Sequence, residues 1–126
     1  MKLTLTALTV AAALTASGAS AFDPDDLQKL LDTGNCFECD LTGANLNNAE
    51  LSEANLNLAN LSLASLEGAT LTFVKLSGAN LSGANLESAS LSWATLINAN
   101  LEALSVCRFA SPLCCVPLLQ VLNHGP

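Results

Sequence analysis

From Cys39 to Val106 apolar and polar positions alternate on a period of five. The central apolar residues are Leu46, Leu51, Leu56, Leu61, Leu66, Leu71, Leu76, Leu81, Leu86, Leu91, Leu96 and Leu101. Two positions before each of them stands alanine, with Val74 the single exception, and the residue between is polar. The two residues that follow are mostly Ser, Gly, Asn or Glu. A helix advances about 100° per residue, so a residue recurring every five steps moves by about 140° net and no helix face collects the leucines. A continuous strand has side-chain period two, so an odd repeat would send successive leucines to opposite faces. The chain therefore turns once per repeat. Ala44-Asn45-Leu46 reads in, out, in along a very short extended segment, and Asn47-Asn48 supplies the turn. Such a repeat predicts an all-β solenoid in which each unit buries its apolar face only against its neighbours. The period alone does not fix how many repeats close one coil.

The raw ends of a solenoid need covers. At the amino-terminal side, "FDPDDLQKLLDTG" carries Asp23 at an N-cap position, Pro24 at the first helical position, Asp25 and Asp26 in the first turn, and Gly34 at the exit. Leu27, Leu30 and Leu31 fall at i, i+3 and i+4, one apolar stripe to lay on the first coil. A short capping helix over residues 24–33 is expected. Beyond Val106 the period is lost, and the apolar tail "CRFASPLCCVPLLQVLNHGP" offers Leu113, Val116, Leu118, Leu119 and Leu122 as cover for the other end.

Ahead of the cap, "MKLTLTALTVAAALTASGASA" has Lys2, an apolar run from Leu3 to about Thr15, and Ala19 and Ala21 spaced for cleavage, which reads as a secretory signal peptide. The run is shorter than the roughly 20 apolar residues of a bilayer span. The expected organisation is a signal peptide at 1–21, a capping segment at 22–38, the repeat solenoid at 39–106 and an irregular tail at 107–126. The expected location is outside the cytoplasm: periplasmic or secreted, or the thylakoid lumen in a phototroph. Loss of the leader removes Lys2 and leaves Lys29, Lys75 and Arg108 against eleven acids, a net charge of about −8. That balance speaks against nucleic-acid backbones and anionic lipid, and suits a basic protein partner or simple solubility.

The A-N-L-x-x runs "GANLNNAELSEANLNLANL" and "SGANLSGANLESASL" resemble the pentapeptide-repeat family, and the likeness covers Cys39 to about Cys107. The resemblance implies a right-handed, quadrilateral parallel β-helix with one pentapeptide per side and twenty residues per coil, here about three to three and a half coils. The central leucines and the alanines two before them would fill its interior. Each buried leucine contributes on the order of 1.5–3 kcal/mol, so twelve can hold a small rod that lacks core aromatics. Twenty-residue coils also stack Asp40, Asn60, Asn80 and Asn100 in one outer column, where amides can hydrogen-bond between layers. They make Phe73 and Trp93 neighbours in line with Glu53. Members of the family with such a leader also carry paired cysteines before a D-L-x-G-A-N-L start, as Cys36 and Cys39 do here.

Candidate chemistry is sparse. Cys36-Phe37-Glu38-Cys39 is a C-x-x-C motif, open to a redox pair, half of a metal site, or a structural disulfide; the last suits an oxidising compartment best. Cys107, Cys114 and Cys115 leave the total odd at five, and a zinc site would need both ends of the rod to meet. His124 is the single histidine and cannot staff a serine, histidine and acid arrangement, so no catalytic, cofactor-binding or metal residues are assigned and no cofactor is expected. Leu58, Leu63, Phe73, Trp93 and Ile97 fall at outward positions, with Phe73, Trp93, Leu58 and Leu63 the expected partner-binding patch unless the tail or the helix covers it. The leading expectation is a non-enzymatic exported scaffold or protein-interaction module, with a homo-oligomer open. Two alternatives stand beside it. The resemblance adds a DNA-mimic protein that binds gyrase, which the export signal opposes. The other is thiol-disulfide exchange through Cys36 and Cys39.

Overall fold

The computed structural model describes residues 21–105. The expected signal peptide, apart from Ala21, Val106 at the end of the expected solenoid, and the expected tail at 107–126 lie outside the described residues.

Helix α1 spans Pro24–Thr33. Its start is set by Asp23, which has extended backbone and accepts the Asp25 N–H at 2.9 Å, and by Pro24 in the first turn. Its end is set by Gly34 in the left-handed conformation, φ 68°, whose N–H donates to the Leu30 carbonyl at 2.8 Å. Leu27, Leu30 and Leu31 are buried, as the stripe predicts, and Phe22 joins them under the helix. Two acids tie the helix to the first coil: the Asp23 N–H donates to the Asp40 carbonyl at 3.0 Å, and the Asp40 N–H donates to Asp26 Oδ2 at 2.8 Å.

From Asn35 the chain winds in coils of twenty residues, about three and a half of them by Ser105, recorded in parallel bridges between positions twenty apart. Four bridge columns define four faces. Face 1 carries Asn35, Asn55, Lys75 and Thr95; face 2, Asp40, Asn60, Asn80 and Asn100; face 3, Asn45, Ser65, Asn85 and Ser105; face 4, Glu50, Thr70 and Ser90. The ladder starts ahead of Cys39. Cys36, fully buried, occupies the leucine site of a first repeat that carries Gly34 where later ones carry alanine, apart from Cys39 and Val74.

Each repeat makes the same backbone bonds. The Leu46 N–H donates to the Ser65 carbonyl above it at 2.7 Å, and the Ser65 N–H returns to the Ala44 carbonyl at 2.9 Å. The Ala49 N–H closes the turn onto the Leu46 carbonyl at 3.1 Å. The extended part of each side is one bridged residue flanked by two inward side chains, so leucine and alanine fill the interior. The central leucines of the repeats, from Leu46 to Leu91, are at most 2% exposed. Leu96 and Leu101, in the last described coil, are only half-buried. No polar side chain is buried among the described residues.

The corners are where local sequence and geometry meet. The second residue after each central apolar residue has φ between 55° and 70° wherever Glu38, Asn48, Glu53, Leu58, Leu63, Phe73, Ser88, Trp93, Asn98, Ala103 or a glycine stands. Glycine or asparagine suits this left-handed position, and a bulky residue is strained there. At Gly68 a Cβ would also fall 2.5 Å from Asn48 Oδ1.

The asparagine column does more within a coil than the sequence suggests. Asn80 Nδ2 does donate to Asn60 Oδ1 at 3.3 Å, and Asn55 Nδ2 to Asn35 Oδ1 at 3.1 Å, between layers. More often the side-chain oxygen of the bridge residue accepts the backbone N–H two residues on. Thr42 to Asp40, Asn47 to Asn45, Asn57 to Asn55, Ser62 to Asn60, Ser82 to Asn80, Glu87 to Asn85 and Glu102 to Asn100 all do this. These Asx turns steer the chain into each corner.

Candidate functional site

The corner between faces 4 and 1 repeats Glu53, Phe73 and Trp93 on successive coils. Both aromatic residues hold left-handed backbone, φ 59° at Phe73 and 61° at Trp93, so their side chains leave the rod at its edge. The Phe73 N–H is anchored on the Ser92 carbonyl of the next coil at 2.9 Å. The coil rise brings the rings together. Their centroids lie 6.3 Å apart with planes 9° from parallel, a stacked pair of the offset kind that aromatic quadrupoles favour. Phe73 stays 54% exposed and Trp93 65%. Beside the pair, Glu53, Phe73, Lys75, Trp93 and Thr95 line a shallow groove of about 480 Å³ that opens onto face 1.

The four apolar residues expected to form one patch do not all meet. Phe73 and Trp93 stack. Leu58 stands on the opposite edge of face 1, at the corner with face 2, and Leu63 one corner further on. Each leucine leans toward a glycine of the next coil: a Cβ on Gly78 would fall 2.5 Å from Leu58 Cδ2, and one on Gly83 2.8 Å from Leu63 Cδ2. Sequence reasoning missed Lys75 and Thr95 as companions of the aromatic pair, and Phe37 as a surface residue at 47% exposure. The signal was present: a residue two positions after a corner aromatic shares its groove once each coil is known to hold twenty residues.

Cys36 and Cys39 form a disulfide, with S–S 2.06 Å and Cα–Cα 5.2 Å, inside the first corner beneath α1. Cys36 Sγ lies 3.1 Å from the Asp26 carbonyl oxygen. Both cysteines are buried, at 0% and 2% exposure, which denies an attacking thiolate access to either sulfur. Among the described residues no group of three or more His, Cys, Asp or Glu side chains is placed to hold a metal ion, and no helix is long and apolar enough to cross a membrane. Cys107, Cys114, Cys115 and His124 lie outside the described residues.

The family model described as pentapeptide repeats (8 copies) matches this chain twice, over residues 35–72 and 64–102. The chain belongs to the pentapeptide-repeat family, whose members fold as right-handed quadrilateral β-helices and are generally non-enzymatic structural repeat proteins. Among solved structures, it is similar to a pentapeptide repeat protein from Nostoc PCC 7120, with 34% identity over 58% of this chain and 68% of that one, and a TM-score of 0.37. It is also similar to a pentapeptide repeat protein from the Arabidopsis thaliana thylakoid lumen, with 28% identity over 73% of this chain and 66% of that one, and a TM-score of 0.31. A pentapeptide repeat protein from the cyanobacterium Cyanothece 51142 shares 24% identity over 64% of this chain and 92% of that one, with a TM-score of 0.30. Comparison with curated proteins gives no match.

Proposed function

We propose that the mature chain is an exported, non-enzymatic interaction module: a rigid rod of about three and a half coils, closed at its amino-terminal end by α1, that anchors a partner protein through face 1. The observation that carries this reading is the stacked Phe73 and Trp93 pair, held largely in solvent at a corner position where the repeat most often places glycine, serine or asparagine. An aromatic side chain in left-handed backbone is a strained arrangement with no return in core burial, and such strain tends to persist at functional positions. Exposed aromatic anchors of this kind are the residues that dominate protein interfaces.

Export rests on the signal-peptide pattern at 1–21 and on the buried disulfide of Cys36 and Cys39, which needs an oxidising compartment. The similar protein from the thylakoid lumen is in keeping with it. The gyrase-binding alternative loses further support from the arrangement of charge. Among the described coils only Glu67 and Glu87 stack twenty residues apart, so no face presents the continuous acidic stripe that mimicry of a phosphate backbone calls for.

The experiment is retention of partner proteins from the exported fraction of the producing cell on immobilised wild-type chain and on the Trp93→Ser and Phe73→Ser variants, each checked for unchanged circular dichroism. A defined species held by wild type and lost from both variants supports the reading. Retention indifferent to both substitutions overturns it. Mass spectrometry of the same fraction should find a chain beginning at Phe22 with Cys36 linked to Cys39.

A further inference from the structure

Six large apolar residues are exposed among those described: Phe37, Leu58, Leu63, Phe73, Trp93 and Ile97. Five of them border face 1. Phe73 and Trp93 stand on the corner that enters it, and Phe37, Leu58 and Ile97 on the corner that leaves it, with only Leu63 elsewhere. The floor between these two rails is polar: Asn35, Asn55, Lys75 and Thr95. Lys75 is the single cation among the described coils, since Lys29 lies on α1 and Arg108 outside the described residues. Glu53 lines the same groove one coil below it. Face 1 thus carries a cation on its floor, Lys75, and an anion on the corner that enters it, Glu53, at adjacent levels, and so it holds the complement of its own charge.

We infer that the protein seated on face 1 is a second copy of this chain, the two rods antiparallel about a two-fold axis that crosses face 1 between the levels of Glu53 and Lys75. The inference rests on the interaction-module reading and names its partner. Inverting one rod about such an axis sets each Lys75 beside Glu53 of the second copy, twice, by symmetry. It lays the Leu58 side chains, each leaning over its own Gly78, together near the axis, and sets Phe37 of each copy opposite Ile97 of the other. Phe73 and Trp93 are then covered along the same seam. The parallel arrangement is disfavoured, because a two-fold axis along the rods would bring Lys75 against Lys75, and like charges opposed across an interface are strongly unfavourable. A heterologous partner would have to supply both the anion for Lys75 and the cation for Glu53 at this one spacing, which a second copy does automatically.

The test is sedimentation velocity of the oxidised protein, as purified from the producing cell, over a wide concentration range. The expected result is a monomer–dimer equilibrium that Trp93→Ser weakens. Glu53→Lys and Lys75→Glu should each weaken it by about tenfold, the scale of a close charge pair at an interface. The double variant Glu53→Lys/Lys75→Glu should restore association. So should an equimolar mixture of the two single variants, as a heterodimer in which every facing pair is again opposite in sign. Circular dichroism confirms that each variant keeps the fold. A wild-type chain that stays monomeric throughout overturns the inference, as does a double variant or mixture that stays as weak as the single variants. If the wild type is monomeric while Trp93→Ser still loses a captured protein from the exported fraction, the second copy is ruled out and the interaction-module reading stands with a different partner.

Discussion

Replacing Leu63 by glycine should leave the rod more stable than replacing it by alanine, the reverse of the usual order. Leu63 has φ 60° and is 70% exposed, so both substitutions remove the same small covered part of the side chain and their difference isolates the backbone. An L-residue held left-handed costs roughly 1–2 kcal/mol, which glycine does not incur. Glycine has more freedom to lose on folding, about 0.5–1 kcal/mol relative to alanine. The balance favours Leu63→Gly over Leu63→Ala by roughly 0.5–1 kcal/mol. At about 4–8 °C per kcal/mol for a domain of this size, that is a separation of several degrees in Tm. Thermal melts followed by circular dichroism, with urea titrations checked for equal m-values, measure it. Thr95, on an extended side, serves as the control: there the alanine variant should be the more stable. If the alanine variant at 63 matches or exceeds the glycine variant, the corner is not left-handed in solution. The argument that the chain tolerates strain to hold Leu58, Phe73 and Trp93 outside would then fail with it.

Other expectations follow from the same geometry. Leu61→Ala, at a fully buried site, should destabilise by about 2–5 kcal/mol, whereas Leu101→Ala, half-buried, should lose less than half of that; equal losses in urea titrations would contradict the described burial. Reducing the disulfide of Cys36 and Cys39, or Cys36→Ser, should remove about 2 kcal/mol by the chain-entropy account of a four-residue loop, seen as a lower Tm with reductant; an unchanged Tm would show that the disulfide does not brace the first coil. Asp26→Ala deprives the Asp40 N–H of a charged acceptor at 2.8 Å and should cost about 1.5–3 kcal/mol, with faster hydrogen exchange at that amide; unchanged protection would mean that α1 is not docked through it. Trp93, the single tryptophan, should be freely quenched by acrylamide in the monomer, at concentrations too low for dimer, and Phe73→Ala should alter its emission; a tryptophan shielded from quencher in the monomer would remove the exposed anchor.

Much of this protein can be read from the chain because its fold is nearly one-dimensional. Each leucine packs against units five and twenty residues away, so the sequence period is also the spatial period, and twelve repetitions leave little room for another reading. The helix at 24–33 was equally legible, since Asp23, Pro24 and Gly34 act on their own backbone. Less legible was the start of the coils. At Gly34-Asn35-Cys36 the leucine is replaced by cysteine and the alanine by glycine, and only the bridge from Asn35 to Asn55 shows the ladder already under way. The spacing of Asp40, Asn60, Asn80 and Asn100 suggests stacking between layers, whereas each of these side chains accepts a backbone N–H two residues on, a role that needs no neighbouring coil.

The candidate site divides along the same line. The sequence by itself determined that Phe73, Trp93, Leu58 and Leu63 point outward, because they replace turn residues in a strict repeat. Which of them meet was decided by the number of residues per coil and by the corner each occupies, quantities that belong to the closed coil and not to the period. Twenty residues per coil stacks Phe73 under Trp93, places Lys75 and Thr95 beside them, and sends Leu63 around to another edge. The five-residue pattern fixes what lies inside and outside through local turn chemistry and burial; the neighbours of an outward side chain depend on how one coil lies over the next.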